Sequence, residues 1–255
     1  MYEIILSLIV FGLGTALASF YIAQIYRIEN ELPFPQFVTQ GSFCEKCKKE
    51  LVWYELIPIL GYLLQGGKCS KCGYKVPHSY PIFELVNGLT LLILFINFAS
   101  LEYYFFSQVL FFLAAYDFYH KGFPKQLMHT FLIMSVLWGL YRYFYLSNFD
   151  MVVFAAAAFL VVVIILMNLL KRSFGVGDLL IVLMMGFVLN LNEFLSWIFL
   201  SIVIAGLFAL ILVILKKADR KDTIPFVPFM HIAFMMLFLF QPQIDRYLTY
   251  FMYLW

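Results

Sequence analysis

The sequence predicts an all-α polytopic membrane protein with about eight transmembrane helices and one small extramembrane loop domain. Three observations predict it. Of the 255 residues, 64% are hydrophobic and only 13% charged, and the apolar residues run on without alternation. A run of about 20 such residues crosses the hydrocarbon core as a helix that satisfies its own backbone, whereas a barrel strand would alternate. Fifteen of the 17 Lys and Arg residues fall in every second connection between the runs. All four cysteines lie in the single long polar segment, residues 26–81.

The first run, residues 4–25, follows a start with no positive charge and stays apolar through Ile25. It therefore reads as a retained first span and not as a cleavable signal. Residues 26–81 form the only sizeable piece outside the membrane. That piece is too small for a large core and needs a staple such as a metal. Further spans are expected at 82–99, 103–117, 127–146, 151–170, 178–190, 194–215 and 228–240. The sixth and seventh meet at Asn190–Glu193 and also read as one bent hairpin. The last segment, Gln241–Trp255, is aromatic and suits the membrane interface. The chain divides into a first span (1–25), a loop domain (26–81) and a helix bundle (82–255).

The basic connections are 26–80, 118–126, 171–177 and 216–227. The short connections on the other side carry Glu102, Asp150, Glu193 and Asp245, and Arg142 and Arg246 are the exceptions to the bias. The positive-inside rule puts the basic side, with residues 26–81, in the cytoplasm and both termini outside. The expectation is a multi-pass protein in contact with membrane lipid. Net charge is +2 and no basic patch points to nucleic acid. The Lys216–Lys221 cluster serves topology or anionic lipid.

The cysteines read Cys44-Glu-Lys-Cys47 and, after 21 residues, Cys69-Ser-Lys-Cys72. Two such pairs are the usual frame for tetrahedral zinc. Four thiolates leave no vacancy for a catalytic water, so the zinc would be structural. Lys46, Lys48, Lys68 and Lys71 flank the ligands and offset a cluster charge of about −2. A cytoplasmic loop argues against disulfides. A redox dithiol pair or another metal is the alternative.

Two aspartates stand at the cytoplasmic membrane edge. Asp117 ends the third span and Asp178 opens the sixth within Gly175-Val-Gly-Asp178. An Asp in hydrocarbon costs about 3 kcal/mol on insertion scales, so it is a candidate for function. Two close carboxylates share a proton, one acting as general base on water and the other as acid, which is aspartyl protease chemistry. Gly175 and Gly177 would let a substrate strand approach the backbone. The plainer reading makes Asp178 a helix cap and Asp117 a residue that reaches up to water. The four histidines are scattered and form no ligand set.

Taken together, these segments resemble the bacterial type IV prepilin peptidases, the bifunctional leader peptidase and N-methyltransferase family. The resemblance runs through Ala18-Ser-Phe-Tyr and Ile25-Tyr-Arg-Ile, then Phe43-Cys-Glu-Lys-Cys47, Trp53-Tyr-Glu-Leu-Ile-Pro58 and Gly67-Lys-Cys-Ser-Lys-Cys72. It continues through Tyr80-Pro-Ile-Phe-Glu84, Asp117 seven residues before Pro124, Gly175-Val-Gly-Asp178 and Pro225-Phe-Val-Pro-Phe229. This chain departs from the family pattern at Lys125, Leu180 and Val227, where that pattern has an acidic or amide residue, a lysine and a glycine.

The resemblance implies a GxGD-type aspartyl peptidase with Asp117 and Asp178 as its catalytic pair. It implies prepilin or pseudopilin substrates, cleaved after a glycine where the basic leader meets the apolar helix. It also implies N-methylation of the new amino terminus from S-adenosylmethionine, associated with the cysteine loop. The cell inner (cytoplasmic) membrane is the location that goes with this resemblance. Gly67, Lys68 and Glu84 are the candidates for the methyl donor. The rival readings are a presenilin-like intramembrane protease, a methyltransferase with an idle peptidase, and a non-enzymatic assembly or transport protein with a zinc-stapled loop.

Overall fold

The computed structural model describes residues 2–31, 41–123, 125–146, 175–217 and 224–252, with scattered positions between 151 and 166. The chain is mostly helical. The helices are α1 (Tyr2–Glu29), a short α2 (Leu60–Leu64), α3 (Ser79–Ile96), α4 (Leu101–His120), α5 (Lys125–Tyr141), α6 (Val176–Gly186), α7 (Leu191–Ile214) and α8 (Val227–Met252). A 3-10 turn, Trp53–Leu56, precedes α2. Helices α1, α3 and α7 are long and apolar enough to cross a membrane. The expected span at 151–170 lies largely outside the described residues.

One element runs beyond its expected end, and two follow the expectation of separate spans. Helix α8 runs on to Met252, past the expected end of the eighth span at Phe240. Pro242 removes one backbone donor but does not stop a helix whose other amides need internal partners in an apolar setting. Helices α6 and α7 are separate, with Asn190 as the cap of α7. The Asn190 amide donates to Glu193 Oε2 at 2.9 Å, the acidic half of a capping box.

The chain forms two compact units, Met1–Ala99 and Ser100–Trp255. In the first, α1 packs antiparallel on α3, since Gly14 meets Asn87 and Ser19 meets Glu84. A Cβ on Gly14 would lie 2.7 Å from the Asn87 carbonyl oxygen, and one on Gly88 would lie 2.7 Å from Thr15 Cγ2. Small residues let the two backbones touch, as helix pairs in lipid often do. The fully buried Asn87 side chain donates to the Gly14 carbonyl at 2.8 Å. That bond fixes the register of the pair.

In the second unit, α8 packs on α4 and α7, and α5 packs on α6. Trp197 is fully buried and its indole N–H donates to the Met230 carbonyl at 2.8 Å. Tyr103 packs on Phe238 with ring centroids 4.8 Å apart, and its hydroxyl donates to Glu193 Oε2 at 3.0 Å. Arg142, an exception to the charge bias, is buried. Its guanidinium donates to the Val188 carbonyl at 2.6 Å and to Asn190 Oδ1 at 3.1 Å. It thus closes carbonyls left open after α6, where a cation is favoured.

Gly88→Val should force α1 and α3 apart and cost about 1–3 kcal/mol, read as a lower thermal midpoint in detergent. Gly12→Ala is the control, because a Cβ there meets nothing within 4 Å. Equal midpoints for the two variants would refute the close helix crossing.

Candidate functional sites: a cysteine cluster and an aspartate pair

The two Cys-x-x-Cys segments fold into equivalent knuckles. Cys44 N–H bonds the Lys49 carbonyl at 2.9 Å, and Cys69 N–H bonds the Tyr74 carbonyl at 2.8 Å. The residue after each second cysteine turns left-handed and donates back, Lys48 to Cys44 and Gly73 to Cys69, both at 2.9 Å. Glycine adopts that conformation freely and lysine does not. Lys48 gains compensating contacts. Its ammonium lies 4.7 Å from the Phe43 ring centre and 2.7 Å from the Tyr26 hydroxyl oxygen, which joins the first knuckle to the end of α1.

The four Sγ atoms lie within 4.8 Å of one another, with Cys44–Cys72 at 3.9 Å and Cys47–Cys69 at 3.8 Å. A tetrahedron of ~2.3 Å zinc–sulfur bonds has edges of about 3.8 Å, so the cluster fits a zinc ion. All four cysteines are free thiols. The backbone amides of Cys72 and Lys71 pull the Cys69 thiol down to about 6. Cys72 moves the other way, to about 11. The Tyr74 amide favours its thiolate, but burial and the neighbouring thiols outweigh that amide. Four thiolates repel one another, and a dication at their centre removes the conflict.

Glu55 joins the two knuckles. Its nearly inaccessible carboxylate accepts Lys49 Nζ at 2.8 and 2.9 Å, Ser70 Oγ at 2.8 Å and the Val52 amide at 3.0 Å. Lys49 also donates to Ser70 Oγ at 2.6 Å. Lys49 follows the first knuckle and Ser70 lies inside the second, so one carboxylate sets their spacing. Burial would raise the Glu55 carboxyl, but these donors together hold it below its ordinary range. Sequence reasoning gave the charge balance to Lys46, Lys48, Lys68 and Lys71 and missed Lys49, whose charge acts on Cys69. A Lys and a Glu six residues apart carry no local pattern that marks them as partners.

Beside the cluster lies a cavity of about 180 Å³. Gly67, Lys68 and Glu84, the three expected donor-site residues, all line it, along with Arg27, Tyr62 and Tyr80. Gly67 has φ +68°, and a Cβ there would sit 2.7 Å from the Tyr62 hydroxyl. Glu84 is partly engaged by the protein, since its Oε2 accepts the Ile59 amide at 2.6 Å and Ser19 also bonds it. The Tyr80 hydroxyl donates to Glu45 on the cavity wall.

In the second unit, Asp117 sits near the end of α4 and is 6% exposed. Its Oδ2 accepts the Val227 amide at 3.3 Å, and the Phe226 amide also bonds it. Asp117 thereby caps α8 from another helix. Asp178 stands in the first turn of α6, and its Oδ2 accepts the Gly175 amide at 3.2 Å. The two carboxylates are close enough for the charge of Asp117 to act directly on Asp178. The capping read from sequence is therefore present at Asp178. Gly177 has a different role from the expected one: its Cβ position is filled by the Phe123 ring, so the glycine admits the segment that follows α4.

Residues 12–98 match the bacterial peptidase A24 N-terminal domain, and residues 104–210 match the type IV leader peptidase family. A prepilin leader peptidase/N-methyltransferase of Bacillus subtilis is 30% identical over 228 residues, covering 86% of this chain and 88% of its own. Its namesake in Pseudomonas aeruginosa is 28% identical over 239 residues, covering 82% and 74%. That of Aeromonas hydrophila is 27% identical over 236 residues, covering 88% and 79%. No solved structure matches the chain significantly.

Glu55→Gln should weaken zinc binding by about 10–100-fold, the usual cost of losing a partner behind the ligands. Competition with a chromophoric chelator reads this on the purified chain. An unchanged affinity would show that the knuckles need no carboxylate between them.

Proposed function

Because this chain belongs to the type IV leader peptidase family, we propose that it removes the short leader of prepilins or pseudopilins at the cytoplasmic membrane face and then N-methylates the new amino terminus. It is an enzyme, a peptidase by family. What supports the detailed reading is that Asp117 of α4 and Asp178 of α6 come near enough for the charge of one to act on the other. In this reading one carboxylate removes a proton from a water molecule as the water oxygen attacks the carbonyl carbon of the glycine. The other, protonated, gives its proton to the carbonyl oxygen. As the tetrahedral centre collapses, the C–N bond breaks, the leaving amine takes the proton that the first carboxylate drew from water, and the other carboxylate recovers its own from the diol hydroxyl. The amides of Val227 and Gly175 hold one oxygen of each aspartate in place.

The methyl-transfer half is assigned to the cavity in the first unit, and the clustering of Gly67, Lys68 and Glu84 there supports it. S-adenosylmethionine supplies a methyl group on a sulfonium ion. Tyrosine rings and carboxylates are suited to such a cation, and Arg27 and Lys68 to its carboxylate. Cys44, Cys47, Cys69 and Cys72 would hold a structural zinc whose chemistry is cross-linking. In this reading the first unit, which holds the cavity, serves methyl transfer and the helices of the second unit serve proteolysis. The chain would cross the cytoplasmic membrane about eight times, with both termini outside and the loop and aspartates on the cytoplasmic side.

Intact mass of a prepilin co-expressed with the chain tests this. Wild type should remove the leader and add one methyl group. Asp117→Asn and Asp178→Asn should each lower cleavage by about 10²–10⁴-fold while inserting normally. Normal cleavage by either variant would end the dyad assignment. Gly177→Leu should also depress cleavage, because its side chain displaces Phe123. Cleavage equal to wild type would show that this packing does not position the aspartates.

A further inference from the structure

The cysteine loop is built inside out over residues 53–64. Its acidic residue, Glu55, is buried, and Gly61 is buried against the Glu55 carbonyl. The large apolar side chains are outside: Trp53 is 76% exposed, Tyr54 45%, Leu56 43%, Leu60 55%, Leu63 63% and Leu64 73%. A loop surrounded by water places these groups the other way round. The arrangement is held firmly, since Glu55 is bonded by Lys49, Ser70 and the Val52 amide.

The height of this face follows from Glu84. Its carboxylate binds the Ile59 amide, one residue before α2, and Ser19 of α1. Ser19 precedes the end of α1, Glu29, by ten residues, about 15 Å along the axis. At this level α1 exposes Phe20 (53%), and α3 exposes Ile82 (57%) and Leu85 (44%). Both helices are candidate spans, so these are surfaces for lipid. The segment that bears the apolar face of the loop is therefore tied, through Ile59, to the level at which the two spans expose apolar side chains.

We propose that the 3-10 turn and α2 lie in the membrane interface, with Trp53, Leu63 and Leu64 seated at the boundary of headgroups and acyl chains. Tryptophan and tyrosine favour that zone, and an amphipathic segment lies flat in it. The loop is then held at one end by α1 and α3 and at the other by lipid. If the cavity serves methyl transfer, as proposed above, this docking keeps its mouth near the membrane surface. The docking itself depends neither on that function nor on zinc.

The test uses the full chain in vesicles of phosphatidylcholine and phosphatidylglycerol. The emission of wild type minus that of Trp53→Phe isolates Trp53. Lipids brominated on their acyl chains should reduce this component by about twofold or more, and aqueous iodide should reduce it little. The double variant Leu63→Ser/Leu64→Ser should shift Trp53 towards iodide and away from the brominated lipid. Quenching of wild type by iodide alone would place the face in water. Quenching by neither would mean that protein, from this chain or a second copy, covers it. Either result overturns the proposal, and an unchanged profile in the double variant removes α2 from the docking.

Discussion

A polar group below the membrane surface has no water to bond, so it must find its partner inside the protein. In this chain that requirement sets the joints between helices. Asn87 bonds the Gly14 carbonyl, Trp197 the Met230 carbonyl, and Arg142 the Val188 carbonyl. Asp117 accepts the amide of Val227, and Glu84 accepts that of Ile59. Each bond links a side chain to the backbone of another segment. Backbone positions shift less than side chains, so such bonds fix register where apolar packing alone would let helices slide. The close crossing at Gly14 and Gly88 depends on the same logic, because the Asn87 bond is possible only where the backbones meet.

The cysteine loop meets a different difficulty. It is too short for a hydrophobic core, and it gathers four thiols that cannot all ionise together comfortably. A bound dication would address both needs, cross-linking the knuckles and offsetting their charge. The protein does part of this work itself. Glu55, Lys49 and Ser70 close a ring of hydrogen bonds across the two knuckles, and Lys48 clasps the end of α1 through Tyr26. The cavity beside the cluster has residues of both knuckles and of α1 and α3 in its wall, so its shape follows from these ties.

Both aspartates are held by backbone amides at helix starts. Asp117 is steadied by the amino end of α8, and Asp178 by the start of its own helix. A carboxylate held by backbone amides keeps a defined orientation towards its neighbour. This also explains why a valine can stand at 227, where the family pattern has glycine. The contact to Asp117 comes from the Val227 amide, which any residue but proline supplies, and its side chain is fully buried.

Much of this was legible in the chain. Continuous apolar runs, glycine-flanked Asp178 and two Cys-x-x-Cys pairs are local patterns, and each depends on neighbours in sequence. They determined the helical membrane character, the cysteine cluster and the family. What tertiary structure alone decided joins residues far apart in the chain. The bond from Glu84 to Ile59 spans 25 residues, and that from Asp117 to Val227 spans 110. Gly177 illustrates the difference: the sequence suggests room for a substrate, and the fold uses the space for Phe123. Arg142 reads as an error in the charge bias until the carbonyls of Phe187 and Val188 stand before it. Periodicity and spacing record what one helix or turn needs. They carry no record of which distant backbone group will meet a buried charge, because that depends on how the helices pack.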